Sequence, residues 1–201
     1  LLARVTPAPR GAFVGGEGQQ AKLGTTALTA LALFARRDAT GATNHDPLLG
    51  RLLDFMEWMV PPSGRIASYY NTATRRRDEK SVAQNFPGQA IWAMAKGVRV
   101  FGRAPAPFIR AMDHQAEQAW SFPFAGYYIF PFSWEMQAVA EIAPRLRKQS
   151  WETFLYRAAD SMLDFQYTSD WPFPDFRGGF GTPEFFVPLA HAAGFQGEGT
   201  S

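Results

Sequence analysis

The chain's 201 residues suffice for one large or two small domains, and a content of 46% hydrophobic and 15% aromatic residues can build a substantial core. The absence of cysteine excludes disulfides, thiol catalysis and Cys-ligated zinc or iron–sulfur sites; it leaves the compartment open, an extracytoplasmic one being slightly favoured. A net charge of +2, with one dense basic cluster at Arg75 to Lys80 (RRRDEK), argues against nucleic acid as a partner, and no apolar run is long enough for a signal peptide or a membrane span.

Leu1 stands where a Met would be expected, so the start reads as processed or the chain as part of a longer one. Gly15 to Gln20 (GGEGQQ) precedes a helix. It has neither the Lys-Ser/Thr ending nor the leading strand of a phosphate loop, and it reads as a flexible turn. The first helix is expected at Leu23 to Arg36, within AKLGTTALTALALFARR. From Ala27 to Ala35 only Thr29 is polar, so almost no wet face remains. DPLLGRLLDFMEWMV forms the second helix. Asp46 caps it, Pro47 takes its first position, and Leu48, Leu52, Phe55, Met56 and Met59 share one face. Asn71 to Gln84 is an insertion that carries the Arg cluster, read as a solvated loop with acidic-sugar contact as the alternative.

The third helix, Pro87 to Val100 (PGQAIWAMAKGVRV), is again apolar nearly all round. The fourth, PFIRAMDHQAEQAW, is amphipathic through Phe108, Met112, Ala116, Ala119 and Trp120. Phe132 to Ala143 (FSWEMQAVAEIA) is apolar and ends at Pro144, which lacks the N–H that a continuing helix needs. The sixth, SWETFLYRAADSMLDFQ, has Ser150 as its cap and turns Trp151, Phe154, Leu155, Ala158, Met162 and Phe165 inward.

Apolar and amphipathic helices alternate strictly, and each amphipathic helix precedes a turn rich in glycine and aromatics: PPSGRIASYYN, SFPFAGYYIFP and PDFRGGFGTPE. Aligning Gly24, Gly88, Ser133 and Thr182 gives spacings of 64, 45 and 49 residues, the size of helical hairpins with one insertion. A helix apolar on all sides is expected to be covered on all sides. The fold expected is therefore all-α: an α/α toroid of hairpins, apolar helices inside and amphipathic ones outside. The hairpins fall at about 20–60, 86–121 and 131–167, with a fourth beginning at 182. An α-solenoid is the competing layout.

The run LGTTALTALALFARR, then DPLL, GR…YY and FPGQAIWAMAKG, resembles the α/α-toroid proteins: six-hairpin glycosidases, uronyl hydrolases, sugar epimerases and polysaccharide lyases, and more distantly the terpenoid cyclases. The aspartate-rich motif of squalene cyclases and the zinc ligands of prenyltransferases are missing. A complete ring of six hairpins takes roughly 300 residues, so this one would be incomplete, and a protein partner or further chain segments are expected to close it.

The resemblance implies a ligand funnel at the N-terminal ends of the inner helices, where unpaired N–H groups and a positive partial charge gather. Substrate-binding candidates there are Arg65, Tyr70, Asn85, Tyr128, Trp134 and Trp171. Sugar rings stack on Trp and Tyr, and Arg and Asn bond their polar groups; packing of the turns against one another is the alternative role for these aromatics. Glycoside hydrolysis needs two carboxylates, one with a raised pKa, and the candidates are Glu135, Asp175 and Glu184. Glu135 lies among apolar residues, and burial would raise its pKa. His45, His114 and His191 are isolated, so no metal and no cofactor is expected. The function expected is carbohydrate-active or carbohydrate-binding, on a polysaccharide or uronic-acid-containing glycan. The alternative is a non-catalytic subunit or scaffold in a larger assembly.

Overall fold

The computed structural model describes residues 4–16, 18, 20–81, 83–118, 132–168 and 177–180. Two three-residue strands come first, β1 (Val5–Pro7) and β2 (Ala12–Val14), paired antiparallel with Val5 opposite Val14. Every residue of β2 is buried, because the strand lies against α1 (Leu23–Thr40) and α2 (Asp46–Trp58). Strand β3 (Gln20–Lys22) runs directly into α1 and pairs with β4 (Tyr69–Asn71), which pairs with β5 (Arg76–Asp78). Helices α3 (Asn85–Phe101), α4 (Ala106–Gln118), α5 (Phe132–Ile142) and α6 (Gln149–Leu163) follow.

The expectation of an all-α, incomplete toroid of hairpins is overturned. Among the described residues six helices stand with two small antiparallel sheets, a mixed α and β architecture. The strands escaped the sequence pattern for a physical reason. Three residues are too short for an alternation of period two to show, and β3 is held by pairing with a segment some fifty positions away, Gln20 opposite Asn71. The segment around Gly15 to Gln20, read as a flexible turn, thus leads into a strand. The Arg cluster read as a solvated loop contributes β5 to a hairpin. The fourth hairpin expected from 182 lies outside the described residues.

The apolar helices α1, α3 and α5 pack side by side with α3 in the middle, while α2, α4 and α6 form a second layer against them. Helix α3 is the most enclosed, and it carries Gly88, Ala90, Ala93, Ala95 and Gly97 on its buried surface. A Cβ on Gly97 would fall 2.9 Å from Leu53 Cδ1, so this glycine sets how closely α2 approaches. At the C-terminal end of the layer, Lys96 and Arg99 of α3 pair with Glu141 of α5 and Asp38 of α1. The second layer contributes fully buried Trp151, Phe154 and Phe108, each worth roughly 2–3 kcal/mol of transfer free energy.

Helix α1 is not covered on all sides. Thr25, Leu28, Ala32 and Ala35 form one exposed stripe, with Leu28 44% exposed. Its two interior threonines are satisfied inside the fold. Val14 N–H donates to Thr26 Oγ1 at 3.0 Å, and Thr29 Oγ1 donates to the Thr25 carbonyl at 2.8 Å. Its nearly uniform apolarity therefore reflects a buried face plus a water-facing stripe of small residues and one leucine.

Candidate functional site

One carboxyl group is enclosed where α3, α4 and α5 come together, and the N-terminal end of α1 packs on the neighbouring turn of α3. Glu135 lies in the first turn of α5 and is completely buried. Gln115 Nε2, reaching across from α4, donates to Glu135 Oε1 at 2.9 Å. Glu135 Oε2 has no hydrogen-bond partner among the described residues. The carboxyl rests on Gly88 of α3, where an added Cβ would lie 2.5 Å from Oε2 and 2.7 Å from Cδ. No side chain larger than hydrogen fits there while Glu135 keeps its position. Next along α3, Gln89 is buried with its Oε1 unpaired. Gly24 of α1 makes room for it: a Cβ at Gly24 would fall 2.7 Å from Gln89 Oε1 and 2.4 Å from Phe86 Cδ1. Gly24, Gly88 and Ser133, equivalent in the repeat of the sequence, thus all stand near the N-terminal ends of the apolar helices.

Competing forces act on Glu135. The hydrogen bonds from Gln115 and from its own backbone favour the ionised form, as does its place at a helix N-terminus. Loss of hydration disfavours that form, and it wins: the pKa rises from 4.5 to about 7. Trp134, which precedes Glu135 in α5, packs on Trp92 of α3 with ring centroids 5.6 Å apart, and Trp92 Nε1 is buried without a partner among the described residues. A carboxyl with a pKa near neutral is suited to general acid–base chemistry where a reacting group reaches it.

The other candidates are dispersed. Tyr70 of β4 is buried in an aromatic cluster, its ring 5.4 Å from that of Phe13 and 5.7 Å from those of Phe55 and Trp58, so it packs the core. Asn85 is exposed as the first residue of α3. Arg65 is exposed between α2 and β4; burial, and then the Arg65 charge, push the pKa of His114 down. Asp175, Glu184, Tyr128 and Trp171 lie outside the described residues. Of the named set, the structure places Trp134 and Glu135 together.

Gln89 falls within Asn85 to Gln89, a stretch that the sequence places at the end of an inner helix, whereas Gln115 is absent from the sequence-derived candidates. A signal for Gln115 existed: it falls three residues after Met112 and four after Ala111, both buried, where an inward-facing polar side chain needs a buried partner. Among the described residues no cluster of three or more acidic or histidine side chains is arranged to hold a metal ion, and no helix is long and apolar enough to cross a membrane. No family model, curated protein or solved structure matches this chain.

Proposed function

We propose that the chain acts on a saccharide and uses Glu135 as the proton-donating carboxyl. The observation that supports this most is the complete burial of Glu135, with a pKa near 7 and one oxygen lacking a hydrogen-bond partner among the described residues. A general acid works best when its pKa lies near the working pH, and an ordinary exposed glutamate is ionised there. The indoles of Trp92 and Trp134, which contact each other on α3 and α5, would supply the apolar surface that a sugar ring stacks on. Asp175 or Glu184 would supply the second carboxylate of the reaction.

The test is a panel of neutral and uronate-containing oligosaccharides read by thermal shift and by turnover. It is run on the wild type, Trp134→Ala and Glu135→Gln. At least one glycan should stabilise the wild type, Trp134→Ala should weaken that binding, and Glu135→Gln should keep binding while losing turnover. If no glycan binds, or if both variants behave as the wild type, the assignment is wrong. One observation favours a second reading, a non-catalytic subunit: Glu135 has no exposed surface, and its bond to Gln115 also joins α5 to α4 across α3. Failure of the whole panel selects that reading.

A further inference from the structure

We propose that the cleft between α2, α4 and the two sheets binds a small oxyanion ligand, one carrying carboxylate or phosphate groups, held by Arg10, Arg77 and Arg110 beside the indole of Trp58. The cleft has a volume of about 840 Å³, within the range of small-molecule sites. It shares no residue with the surroundings of Glu135 and stands independently of the saccharide reading.

Different elements deliver the three guanidinium groups. Arg10 is exposed in the β1–β2 turn at the rim. That turn sits directly on α2, since a Cβ at Gly11 (φ +71) would fall 2.0 Å from the Arg51 carbonyl oxygen. Arg77 of β5 donates Nη1 to the Trp58 carbonyl at 2.9 Å and lies over the indole, with Cζ 5.4 Å from the ring centroid. Its nearest carboxylate, Glu79, is 3.6 Å away and more than half exposed. Trp58 is held in turn by the rings of Phe55 and Tyr70. Arg110 of α4 buries its Nε without a hydrogen-bond partner among the described residues.

Two carboxylates, Asp54 and Glu57, also line the cleft. Both are already taken by Arg103, whose Nη2 pairs with Asp54 and whose Nε and Nη2 pair with Glu57. Arg103 balances one of these two negative charges, and the three further guanidinium groups of Arg10, Arg77 and Arg110 outnumber the one that remains. A buried guanidinium N–H without an acceptor is costly, and a ligand oxygen removes that cost. Planar guanidinium groups pair with carboxylate and phosphate through two parallel bonds, and the indole offers the ligand an apolar face.

Isothermal titration calorimetry of the full chain, at about 20 mM and about 200 mM salt, tests this with three probes: trigalacturonate for carboxylates, pyrophosphate for phosphates, and uncharged maltotriose. One of the anions should bind one to one, more weakly at the higher salt, and any binding of maltotriose should be indifferent both to salt and to the arginine variants. Binding of trigalacturonate alone or of pyrophosphate alone supports the site and identifies the source of the oxyanion. Arg110→Gln should weaken binding by about tenfold and the rim variant Arg10→Ala by about threefold. Should Arg110→Gln fail to fold, Arg10→Ala decides, because its side chain is exposed. The proposal is overturned if neither anion binds, or if the folded Arg10→Ala and Arg110→Gln variants bind the anion as tightly as the wild type.

Discussion

Glu135 and Gly88 depend on each other, and each can be probed alone. Replacing Gly88 by alanine puts a methyl group 2.5 Å from Glu135 Oε2, closer than van der Waals contact permits. Either the carboxyl or α3 must move, an overpacking effect of about 1–3 kcal/mol. Chemical denaturation of Gly88→Ala should show that loss. Trimming the partner, in Gly88→Ala with Glu135→Ala, should recover part of it, and additive losses would mean that the two side chains do not touch. Much of this was legible in the sequence. Glu135 stands out in the sequence as a carboxylate in an apolar helix, and the alignment of Gly24, Gly88 and Ser133 includes Gly88, on which its carboxyl rests. What was not legible is which helix covers it. Gln115 reaches Glu135 from an amphipathic helix, and only the packing of α4 against α3 brings them together.

Between elements, the joint of α4 and α6 rests on Asp113. Its carboxylate accepts from Lys148 Nζ at 2.7 Å and from Trp151 Nε1 at 2.8 Å, and Trp151 is fully buried. Asp113→Ala leaves a buried indole N–H without an acceptor, so a loss of about 1–3 kcal/mol is expected in urea titration; an unchanged midpoint would refute the joint. The C-terminus of α3 offers a purely conformational case. Gly102 is left-handed at φ +63, accepts no crowding from any neighbour, and donates its N–H to the Val98 carbonyl. Gly102→Ala should cost about 1 kcal/mol through the backbone alone. The helices were legible because apolar residues at i, i+3 and i+4 write their own period over a dozen positions, as Phe108, Met112 and Ala116 do. The strands Gln20–Lys22 and Arg76–Asp78 write no period in three residues, and their stability comes from Tyr69–Asn71 between them.

Over the whole molecule, near-uniform apolarity in α1 does not mean complete cover, as the exposure of Leu28 shows: alanine and threonine tolerate water and core alike, so apolar composition does not reveal which side is open. Leu28→Gln should accordingly leave unfolding free energy within about 0.5 kcal/mol of the wild type, whereas a change of several kcal/mol would mean that the stripe is covered. The packing of α3, α4 and α5 holds the Glu135 carboxyl out of water, and linkage makes this a property of global stability. The folded-state pKa of Glu135 is raised, from 4.5 to about 7, so the fold binds the proton more tightly than the unfolded chain does. The resulting stabilisation is fully present below the lower value and is lost as pH rises through the upper one. Urea unfolding of the wild type and of Glu135→Gln, compared at pH values of about 5 and about 8, isolates this group from the other carboxyls. The wild type should lose about 2–3 kcal/mol relative to the variant across that interval. A difference that stays constant within about 0.5 kcal/mol would contradict the burial of Glu135 and the acid–base role built on it.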